Sequence, residues 1–153
     1  MQAELSMVQA LPNAEYPIDI TSTGKAQLKS GAFEETAAPG SATMTQVTLG
    51  GQQAVGDLNG DGLQDAVVTL IVDPGGSGTF TYLAAVINQN GTPKPVASIS
   101  IGDRIIVQSL VIQSSEIIVI YLTRKPEEPM SAPPTVEVTQ IYKLQGNELV
   151  EQK

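Results

Sequence analysis

Between Asp57 and Asp65 the chain reads DLNGDGLQD, and its oxygen-bearing groups fall at alternate positions. Asp57, Asn59 and Asp61 take positions one, three and five, and Asp65 stands at nine. Leu63, at position seven, can offer its backbone carbonyl. Such a set can converge on one hard cation, because Ca²⁺ takes roughly six to eight oxygens from carboxylates and carbonyls. Gly60 and Gly62 permit the positive φ angles that the curl requires. Gly62 also sits at position six, where an EF-hand loop has its invariant glycine. Beyond that the match departs. Position twelve is Val68 rather than a bidentate glutamate, and the VVTLIV that follows has the composition of a strand rather than a helix. Three carboxylates and one amide give the loop a charge of −3, which favours Ca²⁺. Mg²⁺ suits it less, because Mg²⁺ is usually held by one or two carboxylates and keeps its waters.

A plain turn competes with the metal loop. Asn-Gly and Asp-Gly are strong hairpin signals, and NGDG contains both. A turn explains the glycines but has no use for acids at positions one, five and nine. Without a cation those acids repel one another at close range. The expectation is therefore an EF-like loop between two strands, with Asp65 in place of the missing glutamate.

The elements around the loop read as strands. KAQLKSGAFEE has two short alternating runs about Ser30-Gly31, and TMTQVTLGGQQAV leads into the aspartates. DAVVTLIV, TFTYLAAVIN, VASISI, RIIVQSLVIQ, EIIVIYLT, TVEVTQIYKL and ELVEQ follow, separated by turn residues every ten or so positions. That spacing predicts an all-β, mainly antiparallel domain over residues 1–153: a meander, sandwich or barrel-like arrangement. Residues 1–24 are the least regular, with Leu5, Val8 and Leu11 spaced for a short helix that Pro12 would end. Val67–Val72 and Ile117–Leu122 are apolar at consecutive positions, the pattern of strands buried on both faces.

Composition removes several classes of function. The 153 residues include no Cys and no His, which excludes disulfides, Cys-ligated zinc and any Ser-His-Asp triad. Ser77, in the glycine-rich DPGGSG stretch, thus has no histidine to activate it, and the stretch lacks the Gly-Lys-Ser/Thr ending of a phosphate loop. Sixteen acids against eight bases give a net charge of −8, which disfavours nucleic acid and anionic lipid as partners. No apolar run reaches the ~18 residues of a membrane helix. The start, MQAELSMVQALP, shows no basic n-region and no long apolar h-region, so no signal peptide is read there. The adjacent acids Glu34-Glu35 and Glu127-Glu128 point to opposite faces if extended, and Asp103-Arg104 reads as turn chemistry. The proline-rich RKPEEPMSAPP connection reads first as a plain surface loop, with Met130 as an apolar tip for a partner as the alternative.

VGDLNGDGLQDAVV resembles the calcium hairpin of FG-GAP repeats, with their D-x-[DN]-x-D-G-x-x-D loop between strands. The resemblance implies Ca²⁺ held by Asp57, Asn59, Asp61, the Leu63 carbonyl and Asp65. It does not imply a propeller, which needs several blades where this chain has one such loop. More broadly, the run from residue 45 onward is similar to domains of uncharacterised exported bacterial proteins, some of them lipoproteins. That similarity implies a setting in the periplasm, at the cell surface or in the medium.

The expected function is thus a non-enzymatic extracytoplasmic binding or structural module with a structural Ca²⁺ site and a protein or cell-envelope partner. Two alternatives stay open: a Ca²⁺-dependent hydrolase, and an envelope inhibitor or adhesion module marked by an exposed apolar patch.

Overall fold

In a computed structural model of the protein, residues 2–76 and 78–152 are described, the side chains of residues 2–5 excepted. Ser77, and the side chain of Leu5, therefore lie outside the described residues. Turn chemistry sets the course of the chain. Ser30-Gly31, Asn90-Gly91 and Ser114-Ser115 all have positive φ at both positions. This is the mark of two-residue turns whose twist matches that of the flanking strands. Each joins antiparallel neighbours: Lys29 to Ala32, Gln89 to Thr92 and Gln113 to Glu116.

The chain opens with α1 (Gln2–Ala10), ended by a 3₁₀ turn at Leu11–Asn13 that contains Pro12. Next come β1 (Glu15–Pro17), β2 (Lys25–Gln27), β3 (Ala32–Thr36), β4 (Met44–Gly56), β5 (Asp65–Asp73), β6 (Phe80–Gln89) and β7 (Thr92–Asp103). After these the chain forms β8 (Ile106–Gln113), β9 (Glu116–Thr123), β10 (Val136–Gln145) and β11 (Glu148–Gln152). Strands β3 to β7 form a curled five-stranded sheet in sequence order, β8 to β11 form a four-stranded sheet, and β1 pairs with β2. All named pairings are antiparallel. The fold is all-β with one short N-terminal helix, as the turn spacing predicts.

The five-stranded sheet lies between two apolar layers. Its Ala66, Val68, Leu70 and Val72 face Met7, Leu11, Tyr16, Ile18 and Leu28 of the N-terminal segment. The alternate residues Val67, Leu83 and Ala85 face Leu110, Ile117, Val119, Tyr121 and Tyr142 of the second sheet. Strand β5 is thus buried on both faces, as its consecutive apolar residues require. Burying each such side chain contributes about 1.5–3 kcal/mol. Strand β4 bends over β5 at a bulge between Leu49 and Gln53. Gly50 is needed there because a Cβ would run into the Thr69 hydroxyl.

Three expectations change. Residues 1–24 contain the strand β1, which escaped notice because three residues are too few for any period to show. The KAQLK run pairs mainly with β1 instead of forming a long hairpin with β3. Only Lys29 bridges to Ala32, because β2 is paired with β1 in a separate two-stranded sheet. Strand β9 buries Ile117, Val119 and Tyr121 on one face but leaves Ile118, Ile120 and Leu122 only half-buried on the other.

Candidate metal centre

Gly56, the last residue of β4, pairs with Asp65, the first of β5, so residues 57–64 form a hairpin loop. Two contacts fix its base. Leu58 is buried in the core between the sheets. A Cβ on Gly56 would lie 2.6 Å from Ile112 Cγ2, so β8 packs directly against the end of β4. The hydroxyl of Ser115, in the β8–β9 turn, donates to the Asp57 carbonyl at 2.8 Å.

Within the loop the backbone folds around its own side chains. Gly60 and Gly62 have φ of +80° and +84°, and their N–H groups donate to the two carboxylate oxygens of Asp57 at 2.8 and 2.9 Å. The Asp61 N–H donates to Asn59 Oδ1 at 3.2 Å, and the Leu63 N–H to Asp61 Oδ1 at 2.9 Å. Such side-chain-to-backbone bonds are how Asp and Asn stabilise tight turns. Asp65 is fully buried and belongs to two hairpins at once. Its Oδ2 accepts the Leu58 N–H and its Oδ1 the Asn88 N–H, both at 2.8 Å.

Carboxylate oxygens of Asp57, Asp61 and Asp65 all lie within 4.8 Å of one another. The structure therefore brings together three of the five expected ligands. Asn59 and Leu63 lie on the same loop, the first with its amide oxygen engaged by Asp61 and the second with its side chain exposed. The donor set is all oxygen, which suits a hard divalent cation. Position twelve, Val68, is a buried core residue of β5, so the loop leads from strand to strand.

Electrostatics divides the carboxylates. The Gly62 N–H, aided by those of Gly60, Asn59 and Asp61 and partly opposed by desolvation, holds Asp57 below its ordinary value. Burial pushes Asp65 up. The N–H groups of Asn88 and Leu58 offset that in part, while the charges of Asp61 and Asp57 add to it. A cation among the three would oppose both causes of the rise at Asp65, since it replaces lost solvation and screens the neighbouring anions.

Asn88 is the residue that sequence reasoning missed. It is buried, its Nδ2 donates to the Gln64 carbonyl at 3.1 Å, and its Oδ1 accepts the Gly91 N–H at 2.8 Å. It thereby orients Asp65 from the neighbouring β6–β7 hairpin. The NQNG stretch signals a turn, but no local pattern shows that this turn abuts the aspartate loop.

The clefts described in the structure lie elsewhere. One of them, about 360 Å³, is lined by Pro17, Asp19, Ser98, Glu148 and their neighbours. No family model matches the chain, and no curated protein and no solved structure matches it either.

Proposed function

We propose that residues 57–65 bind one Ca²⁺ through Asp57, Asn59, Asp61, the Leu63 carbonyl and Asp65, in the manner of an FG-GAP-like hairpin. The ion is structural, and the protein is a non-enzymatic binding or structural module that works outside the cytoplasm, where Ca²⁺ is abundant. The observation that carries this reading is the convergence of three carboxylates within 4.8 Å, one of them fully buried. Like charges at that spacing are costly unless a cation offsets them. The backbone N–H groups on Asp57 and Asp65 hold these ligands in place before the ion arrives, which suits a caged ion.

With free Ca²⁺ at about 100 times the dissociation constant, binding adds roughly 2.7 kcal/mol to the stability of the fold. Titration calorimetry on EDTA-treated protein tests this directly. Wild type is expected to bind one Ca²⁺ and to melt several degrees higher with it, while Asp61→Ala binds none. Asp61 is exposed and its side chain accepts only the Leu63 N–H, so the variant should still fold. A flat titration of the wild type, with melting curves that superimpose in EDTA and in millimolar Ca²⁺, would overturn the assignment.

A further inference from the structure

The first and last carboxylates of the aspartate loop are held by different sheets. At the loop's start three consecutive residues lie against the four-stranded sheet. Gly56 packs on Ile112 of β8, the Asp57 carbonyl accepts the Ser115 hydroxyl at 2.8 Å, and the Leu58 side chain is buried in the apolar layer that also holds Leu110 and Ile117. At the loop's end Asp65 is the first residue of β5, and its Oδ1 accepts the N–H of Asn88 on β6, so it belongs to the five-stranded sheet. The chain passes from one sheet to the other through Arg104 and Ile105, between β7 and β8. That crossing stands at one end of β8, and the Ser115 turn stands at the other, about 25 Å away along an extended strand.

We infer, resting on the Ca²⁺ reading above, that the ion clasps the two sheets together and that Ser115 is the positioning residue through which its binding reaches the second sheet. The backbone of the turn supports this assignment. Ser114 and Ser115 have φ of +53° and +61°, in a two-residue turn where Asn and Gly are the favoured residues. A serine held in the left-handed region is disfavoured, and the bond to Asp57 gives the Ser115 hydroxyl a use that glycine could not supply. That hydroxyl bonds to the backbone carbonyl of Asp57, which leaves the carboxylate to the ion. Ser114 shares the turn but is exposed, so the turn contains its own control.

The link works through the closed form of the loop. The ion needs the Asp57 and Asp65 carboxylates side by side, and the Ser115 bond forms only when Asp57 lies against the β8–β9 turn. Apparent affinity falls with the fraction of molecules whose loop is open, so a bond that favours the closed form raises it. By reciprocity, filling the loop holds the turn against it by the same factor. The coupling is limited to the net worth of one hydrogen bond, about two- to tenfold in affinity.

The test is calorimetric titration of wild type, Ser115→Gly and Ser114→Gly with Ca²⁺, paired with amide hydrogen exchange in its presence and absence. Glycine accepts positive φ without strain, so both variants keep the fold, which far-ultraviolet circular dichroism checks. In wild type, Ca²⁺ is expected to slow exchange in residues 57–65 and also in residues 112–117 of the second sheet. Ser115→Gly weakens binding about two- to tenfold and confines the slowing to the loop and the Asn88 hairpin. Ser114→Gly changes neither. A flat wild-type titration removes the Ca²⁺ reading and the clasp with it. The clasp alone is overturned if wild type binds Ca²⁺ but shows no slowing in residues 112–117, a measurement that needs no variant. It is likewise overturned if Ser115→Gly binds as wild type does, or if Ser114→Gly weakens binding equally.

Discussion

Strands β5 and β9 have similar sequences, AVVTLIV and IIVIYLT, and different surroundings. Strand β5 is the centre of the five-stranded sheet and has the N-terminal segment on one side and the second sheet on the other. Strand β9 lies inside the four-stranded sheet with a layer on its inner face only. A run of consecutive apolar residues records that both faces of a strand favour an apolar neighbour. It does not record whether the same chain supplies both neighbours. In β5 it does, through α1, β1, β2 and the second sheet. In β9 the outer face has no covering layer among the described residues.

The sharpest way to break that contrast is to truncate one aliphatic residue in each strand. Leu70→Ala in β5 removes a fully buried side chain and should cost about 2–5 kcal/mol, read by urea unfolding. Ile120→Ala in β9, which is only half-buried, should cost less than about 1 kcal/mol. Equal losses would mean that the two strands are equally enclosed and that the outer face of β9 is not open. A smaller effect is expected at Gly56, where the two sheets meet. Gly56→Ala places a methyl 2.6 Å from Ile112 Cγ2 and should cost about 1–3 kcal/mol by overpacking. The companion change Ile112→Val, which trims the opposing side chain, should recover part of that loss. No recovery would show that β8 does not press on β4 as described.

The smallest effect concerns pH. Burial raises the Asp65 pKa, so in metal-free protein its contribution to stability is full below the ordinary value of 3.8 and is lost as pH rises through the raised value. Asp57, lowered chiefly by the Gly62 N–H, behaves oppositely, with a contribution present above 3.8 and lost as pH falls through the lowered value. Ca²⁺ needs both carboxylates ionised, so on acidification Asp65 is protonated first and affinity declines while pH is still above 3.8. The rise in melting temperature caused by Ca²⁺ should shrink between neutral pH and that point. A rise that stays constant over the window would place Asp65 outside the coordination shell.

Much of this architecture was legible from local pattern. The turns at Ser30-Gly31, Asn90-Gly91 and Ser114-Ser115 carry their own chemistry, and the loop glycines Gly60 and Gly62 have the positive φ that the aspartate spacing demands. What stayed hidden depends on residues distant in sequence. Asn88 bonds to Asp65 across 23 positions, and no spacing rule within the loop points to it. That Asp65 is buried while Asp61 is exposed follows from the β6–β7 hairpin lying beside one and not the other. The open outer face of β9 was hidden for the same reason, since only the layer count reveals it.

Apart from the break between β7 and β8, every strand from β4 onward pairs with the strand just before it. A nascent chain can therefore complete each hairpin as soon as its second arm emerges, without waiting for a distant partner, which shortens the search for native pairing. The five-stranded sheet can assemble while residues 106–152 are still being translated. Until they arrive, Val67, Leu83 and Ala85 face water, and that interval is when a newly made chain is most exposed to misassembly with its neighbours.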